Sequence, residues 1–175
     1  MNYSGIKPIY GQGFFYVSRS GAFIQVVVFD YYDPAHYYAE VVSNATLLEN
    51  EVEALRNNMQ FFLDQEKVIV NGERVKPKVI NVEVGLRGLK RIAYAAFIIE
   101  FKSQLKSGLN IYENYYEEEY VGYDYVVYWF FPEDSTVTQV DLGVSYSLIN
   151  NRILFFKVPK GTYIRGYERI IFEVK

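Results

Sequence analysis

Cysteine is absent from this chain of 175 residues, which excludes disulfides, thiolate metal sites and cysteine nucleophiles together. Histidine is almost as scarce, with His36 the single one. Zinc and related metals prefer His or Cys ligands, and neither HExxH nor CxxC spacing occurs, so no metal site is expected. A Ser-His-Asp triad would need His36 as its base. Its place just after Asp33-Pro34 suits a partly exposed structural residue at a loop or strand start. A phosphate-cradling glycine loop is missing as well. Gly11-Gln12-Gly13 is followed by Phe14 and Phe15 rather than a third glycine at the required spacing, so it is expected to be a turn, and no cofactor is expected.

Long apolar runs are also lacking. The longest, residues 22–24, 26–29 and 126–131, fall far short of the ~20 residues a membrane helix needs. No basic stretch followed by an apolar run opens the sequence, so no signal peptide is visible and a cytoplasmic location is the expectation. The triplets Asn2-Tyr3-Ser4 and Asn44-Ala45-Thr46 are glycosylation sequons, which matter only in a secreted chain. Positive charge is not in excess: 18 Lys and Arg against 21 Asp and Glu leave a net charge of −3. That balance argues against nucleic acid as partner, because such binding rests on neutralising phosphates. With 2 Met and no Cys, the composition avoids oxidisable side chains and resembles that of a thermophile's protein.

What is abundant is apolar and aromatic. Half of the residues are hydrophobic, enough for one domain over 1–175 with a sizeable core. In residues 22–32 both alternating sets are apolar, which predicts a central strand covered on both faces and closed by Asp33-Pro34. Leu48, Val52, Leu55, Met59 and Phe62 fall on one helical face, with Glu49, Asn50, Glu53, Arg56, Asn57 and Gln60 opposite. Thr46 with Glu49 reads as a capping box, giving a helix around residues 46–64 laid across a sheet. Asn71-Gly72 between two β-branched runs predicts a type I′ hairpin over 68–75, followed by a strand at 79–84. Residues 89–105 fit either a buried strand or a buried helix by period; their β-branched and aromatic content favours strand.

From residue 109 the β pattern is dense. Strands are expected over 110–120, 121–131, 153–158 and 162–174, with turns at Asn150-Asn151 and Pro159-Lys160-Gly161. Val140, Leu142, Val144, Tyr146 and Leu148 alternate with polar residues, predicting one half-exposed antiparallel strand over 139–148. Short runs spaced by turn residues indicate a mainly β chain: an antiparallel β-sandwich, Ig-like or jelly-roll-like, with one packed α-helix.

The aromatic content points furthest toward function. Of 18 tyrosines, Tyr112, Tyr116 and Tyr120 lie four apart, so a regular strand would present them on one face with Asn114 and Glu118 between them. A wet face studded with Tyr and edged by acids is a binding surface, since each ring gives contact area at low entropic cost. The expectation is a non-catalytic binding or assembly module whose candidate surface is Tyr112, Asn114, Tyr116, Glu118 and Tyr120. Its partner would be a protein or a second copy, with carbohydrate also possible. The alternative is a glycosidase-like hydrolase, which needs only two placed carboxylates in a cleft. Glu117, Glu118, Glu119, Asp124 and Glu100 are the candidates for that role.

Overall fold

The computed structural model describes residues 5–175; the sequon at Asn2 therefore lies outside the described residues. β1 (Lys7–Val17) and β2 (Ala22–Tyr32) form a hairpin, followed by two helices, α1 (Tyr37–Ser43) and α2 (Ala45–Gln65). The remainder is β: β3 (Lys67–Val70), β4 (Glu73–Val75), β5 (Lys78–Leu86), β6 (Ile92–Lys102), β7 (Gly108–Tyr115), β8 (Glu119–Tyr120) and β9 (Asp124–Phe130). β10 (Ser135–Asp141), β11 (Tyr146–Ile149), β12 (Ile153–Val158), β13 (Tyr163–Ile164) and β14 (Tyr167–Val174) complete the chain.

These strands build a sandwich. One sheet has seven strands in the order β11-β12-β9-β1-β2-β6-β5, and the other has five in the order β10-β14-β7-β3-β4; β8 and β13 pair separately. β1 and β9 run parallel, whereas the other pairings among the described residues are antiparallel. The chain is thus a β-sandwich with a packed helix, α2, as the sequence pattern predicts; the short α1 is a second helix beyond the one expected, and residues 92–102 are the strand that their β-branched content favours. Asn71 and Gly72 have φ of 54° and 84°, the double positive φ that a type I′ turn demands; Asn150 and Asn151, at 50° and 53°, repeat it.

The inner face of the large sheet has two covers. Phe23, Phe101, Trp129, Leu154 and Phe156 pack against Val70, Tyr112, Ile170 and Phe172 of the five-stranded sheet. Farther along the same strands, Ala95, Phe97 and Ile99 meet Leu63, Met59 and Leu55 of α2, while Ala93 and Val84 meet Tyr38 and Val41 of α1. Alternation in β6 explains how one strand serves both, because Ala93, Ala95, Phe97, Ile99 and Phe101 all project to this side.

Several expectations are corrected. α2 opens at Asn44, not Thr46: the Asn44 side chain accepts from the Leu47 N–H at 3.2 Å, and the helix therefore begins one residue earlier than expected. Phe62 does not belong to its buried stripe; it is 62 % exposed, and Leu63 is buried in its place. The wet face is also less wet than its charges imply. Gln60 accepts from the Val79 N–H (3.0 Å) and donates to the Pro77 carbonyl (3.1 Å), and Arg56 donates to the Val79 carbonyl (3.2 Å). These bonds tie the helix to β5 beside its bulge at residues 79–81.

Residues 139–148 are two strands rather than one. Gly143 adopts a left-handed φ of 71°, so the chain leaves the small sheet after Asp141 and joins the large one at Tyr146. Alternation survives in sequence because Leu142 is buried between the sheets at the crossing. Residues 110–120 also split, into β7 and β8. Gly11-Gln12-Gly13 is no turn but the middle of β1.

The outer face of the large sheet stays uncovered by the described residues, contrary to the expectation for 22–32. It carries Phe14, Tyr16, Ile24, Val26, Ile98, Tyr128, Phe130 and Phe155, none of them fully buried, with Tyr16 and Ile24 45 % and 39 % exposed. Ring stacking links them: Phe14–Tyr128 at 5.5 Å, Tyr16–Phe130 at 4.7 Å and Tyr128–Phe155 at 4.7 Å.

Candidate functional site

Where the two covers meet, a cavity of about 310 Å³ opens inside the sandwich. Its floor is the large sheet, its roof is β7 and β14, and one side is the C-terminal half of α2. Two glycines let the aromatic lining close in on β1. Gly11 and Gly13 share the inward register of β1 with Phe15 and Val17; a Cβ on Gly11 would lie 3.0 Å from the Tyr125 Cβ, and one on Gly13 3.1 Å from the Phe15 ring. With no Cβ of their own, both allow these side chains to lie against the strand.

The walls are aromatic and the polar groups are acidic. Phe15, Phe29, Tyr116, Tyr123 and Tyr125 line the space, together with Glu66, Glu119, Glu168, Asn114 and Gln25. No Lys, Arg or His lines it. Glu168 takes its place by strand register: it shares the inward side of β14 with Ile170, Phe172 and Val174, and it pairs directly with Asn114 of β7. Glu66 follows the last residue of α2 and has the parity of the buried Val68 and Val70.

Hydrogen bonds tie these groups in two pairs. The Tyr112 hydroxyl donates to Glu168 Oε1 at 3.2 Å, and the Asn114 amide donates to Glu66 Oε2 at 2.9 Å. The Asn114 Oδ1, on a residue only 8 % exposed, has no partner. Burial shapes the protonation of these groups. Desolvation first, and then the neighbouring Glu66 charge, push Glu168 up to about 7, against the smaller lowering by the Tyr112 bond. Burial also raises Glu66, offset in part by the bond from Asn114. Tyr112, Tyr116, Tyr123 and Tyr125 all lie above the usual phenol range, with desolvation the largest cause in each.

An outer groove of about 1070 Å³ shares Phe29, Met59, Glu66, Tyr116, Glu119 and Tyr123 with the cavity. It runs beneath the end of α2 and gives the cavity its mouth, with Phe62, Lys67, Tyr115 and Glu117 at the rim.

The five residues of the expected surface are divided by this geometry. Tyr112 and Asn114 point inward and are buried, Tyr112 at 1 % exposure; Tyr116 is half-buried in the cavity wall. Glu118 and Tyr120 stand in solvent, Tyr120 at 74 % exposure, with Tyr120 against Tyr163 and Glu118 accepting from the Tyr163 hydroxyl. A continuous wet Tyr face is thus ruled out, because β7 ends at Tyr115 and Tyr116 caps its end by bonding Gly166. Among the candidate carboxylates, Glu119 reaches the cavity and Glu117 the groove; Glu100 sits on the outer face 3.7 Å from Lys102, and Asp124 accepts from the Lys160 N–H. The acids that matter, Glu66 and Glu168, were not on that list. The signal for Glu168 is an acid in the apolar register of residues 168–174.

Among the described residues, those of the cavity included, no group of three or more His, Asp or Glu side chains is placed to hold a metal ion, and no helix is long and apolar enough to cross a membrane. His36 is exposed and begins α1 with a left-handed φ of 60°. No known family of proteins matches the chain, and no curated protein is similar enough in sequence to count as a relative.

Proposed function

We propose that this chain is a non-catalytic binding module that takes a small ligand with an apolar body and a polar head into the interior cavity. The observation that carries this reading is the Asn114 Oδ1, buried without a partner among the residues that line the cavity. An unsatisfied buried acceptor costs roughly 1 to 3 kcal/mol, and a ligand donor would recover that cost. The aromatic walls supply the apolar contact that small-molecule sites generally have.

Binding is preferred over hydrolysis because both carboxyls are already engaged by the chain itself, Glu168 by the Tyr112 hydroxyl and Glu66 by the Asn114 amide. The test is titration with 2-phenylethanol, a small neutral amphipathic probe, followed by amide chemical shifts. Saturable shifts centred on Gly11, Gly13, Asn114 and Tyr116 support the reading; their absence up to millimolar concentrations of this probe and of its charged analogues, 2-phenylethylammonium and 3-phenylpropanoate, overturns it.

A second reading, self-association, rests on the outer sheet face. Contiguous exposed apolar patches mark interaction sites. A twofold axis lying in the interface along β1 sets β12 of one copy over β6 of the other, so that Tyr128 and Phe155 face Val26 and Ile98 of the partner at the same height along the strands. Sedimentation should give twice the chain mass, and Tyr16→Asp with Phe155→Asp should return it to one; a monomeric parent at high micromolar concentration excludes this reading.

A further inference from the structure

We infer that the ligand of the interior cavity is an organic cation: a protonated amine on an apolar, preferably aromatic, body. This rests on the cavity being a ligand site, and it specifies the class of ligand. Three independent features of the lining point the same way. The first is charge. Glu66, Glu119 and Glu168 line the space and no cationic side chain does, so the cavity holds acids without a counter-charge. Buried carboxylates are ordinarily paired, and breaking such a pair is costly. An anionic ligand would meet like charge at close range in a poorly screened space.

The second feature is hydrogen-bonding sense. Glu168 and Glu66 already receive the donors nearest to them, from Tyr112 and Asn114. Beside the Gln25 amide and the tyrosine hydroxyls, which can donate, the head of the cavity has open acceptor capacity: the Asn114 Oδ1 and the other lone pairs of both carboxylates. A ligand head with several N–H donors matches those acceptors. An ammonium group has three donors and no acceptor.

The third feature is the wall. Tyr116, Tyr123, Tyr125 and Phe29 present rings to the same space. Ring faces attract cations, the more strongly when the cation is desolvated. Phe29 and Tyr123 already meet edge to face, 6.2 Å between centroids. Aromatic faces together with acids and acceptors suit an arylalkyl ammonium in particular, because the body stacks while the head pairs.

The experiment compares three probes on the parent protein by calorimetry at pH 8: 2-phenylethylammonium, the neutral 2-phenylethanol and the anionic 3-phenylpropanoate. The expected result is ammonium binding at least tenfold tighter than the alcohol, with no measurable binding of the carboxylate. Glu168→Gln and Glu66→Gln should each weaken the ammonium at least tenfold and shift the alcohol less than threefold. Alcohol binding equal to or tighter than the ammonium overturns the cation inference and leaves the cavity reading standing. Preference for the anion does the same. Binding of none of the three, by a protein whose amide spectrum is native, overturns both. The comparison on the parent protein decides the matter even if either Gln variant fails to fold.

Discussion

Glu168 and Asn114 face each other as a direct cross-strand pair between β14 and β7, both turned toward the interior cavity. In an ordinary sandwich both positions would be apolar, as the flanking pair Ile170 and Tyr112 is buried in the core. Placing an acid opposite an amide at this point costs stability, and the amount varies with pH.

Glu168 ionises near 7 in the folded chain, against an ordinary value of 4.5. Below about pH 4.5 both folded and unfolded chains keep the proton, and the contribution to stability is fully present. Between 4.5 and 7 the folded chain holds a proton that the unfolded chain has released, so stability falls as pH rises. Above the folded value the contribution is lost, a change of roughly 3 kcal/mol. The groups facing Glu168 are Glu66 from the end of α2, Tyr112 from β7, Tyr116 just past the end of β7, and Tyr125 from β9. Glu66, also raised, acts in the same direction. Chemical denaturation from pH 4.5 to 8 should show this decline in the parent and a flatter profile in Glu168→Gln. Equal slopes in the two proteins would remove Glu168 as the source.

The helix makes a sharper test of packing. Leu63 and Phe62 are neighbours in sequence, but Leu63 belongs to the core beneath α2 and Phe62 is exposed. Leu63→Ala should cost about 2 to 5 kcal/mol by leaving a cavity. Phe62→Ala should change stability by less than ~1 kcal/mol, since only its rim contacts with Phe61 and the groove are lost. Equal losses at the two positions in urea denaturation would place the helix in a different rotation.

This pair of residues also marks how far the sequence could be read. Periodicity identified the helix, its length within a residue or two at each end and most of its buried stripe, because a 3.6-residue repeat is a local property. The last turn failed because Phe62 and Leu63 are both apolar, and only the position of the sheet chooses between them. The strands were legible for the same local reason, and the Asn-Gly turn was legible because few residues tolerate its backbone. The break at Gly143 was hidden: the chain crosses from one sheet to the other while Leu142 stays buried, so alternation continues through a topological change. The cavity was hidden more deeply. Its lining comes from α2 and from strands spread along the whole chain, β1, β2, β6 to β9 and β12 to β14, and its two glycines read as a turn because nothing in sequence says that their neighbours are extended.

Capping separates Asn44 from Thr46. Asn44 has extended backbone, φ −130°, and its side chain accepts from the Leu47 N–H, whereas Thr46 lies within the first turn. Asn44→Ala should therefore cost about 1 kcal/mol, and Thr46→Ala should be within ~0.5 kcal/mol of the parent. A larger loss at Thr46, measured by thermal denaturation, would restore the capping box as the helix start.

Tyr112 and Tyr120, eight residues apart and identical in type, should respond oppositely to the same substitution. Tyr112 is enclosed by Phe23 at 6.3 Å and Trp129 at 4.7 Å between ring centroids, with its hydroxyl on Glu168. Tyr112→Ser removes the ring from the main core and takes away a partner of Glu168, so a loss of at least ~3 kcal/mol is expected. Tyr112→Phe isolates the second effect, because it keeps the ring and deletes only the hydroxyl, at about 1 to 2 kcal/mol. Tyr120 has solvent over most of its surface and meets chiefly the Tyr163 ring at 5.3 Å, so Tyr120→Ser should change stability by less than ~1 kcal/mol. Urea denaturation of the three variants checks the order: Tyr112→Ser far below Tyr112→Phe, and Tyr120→Ser close to the parent. A Tyr112→Ser protein as stable as the parent would mean that β7 presents this ring to solvent and that its register in the sandwich is shifted by one residue.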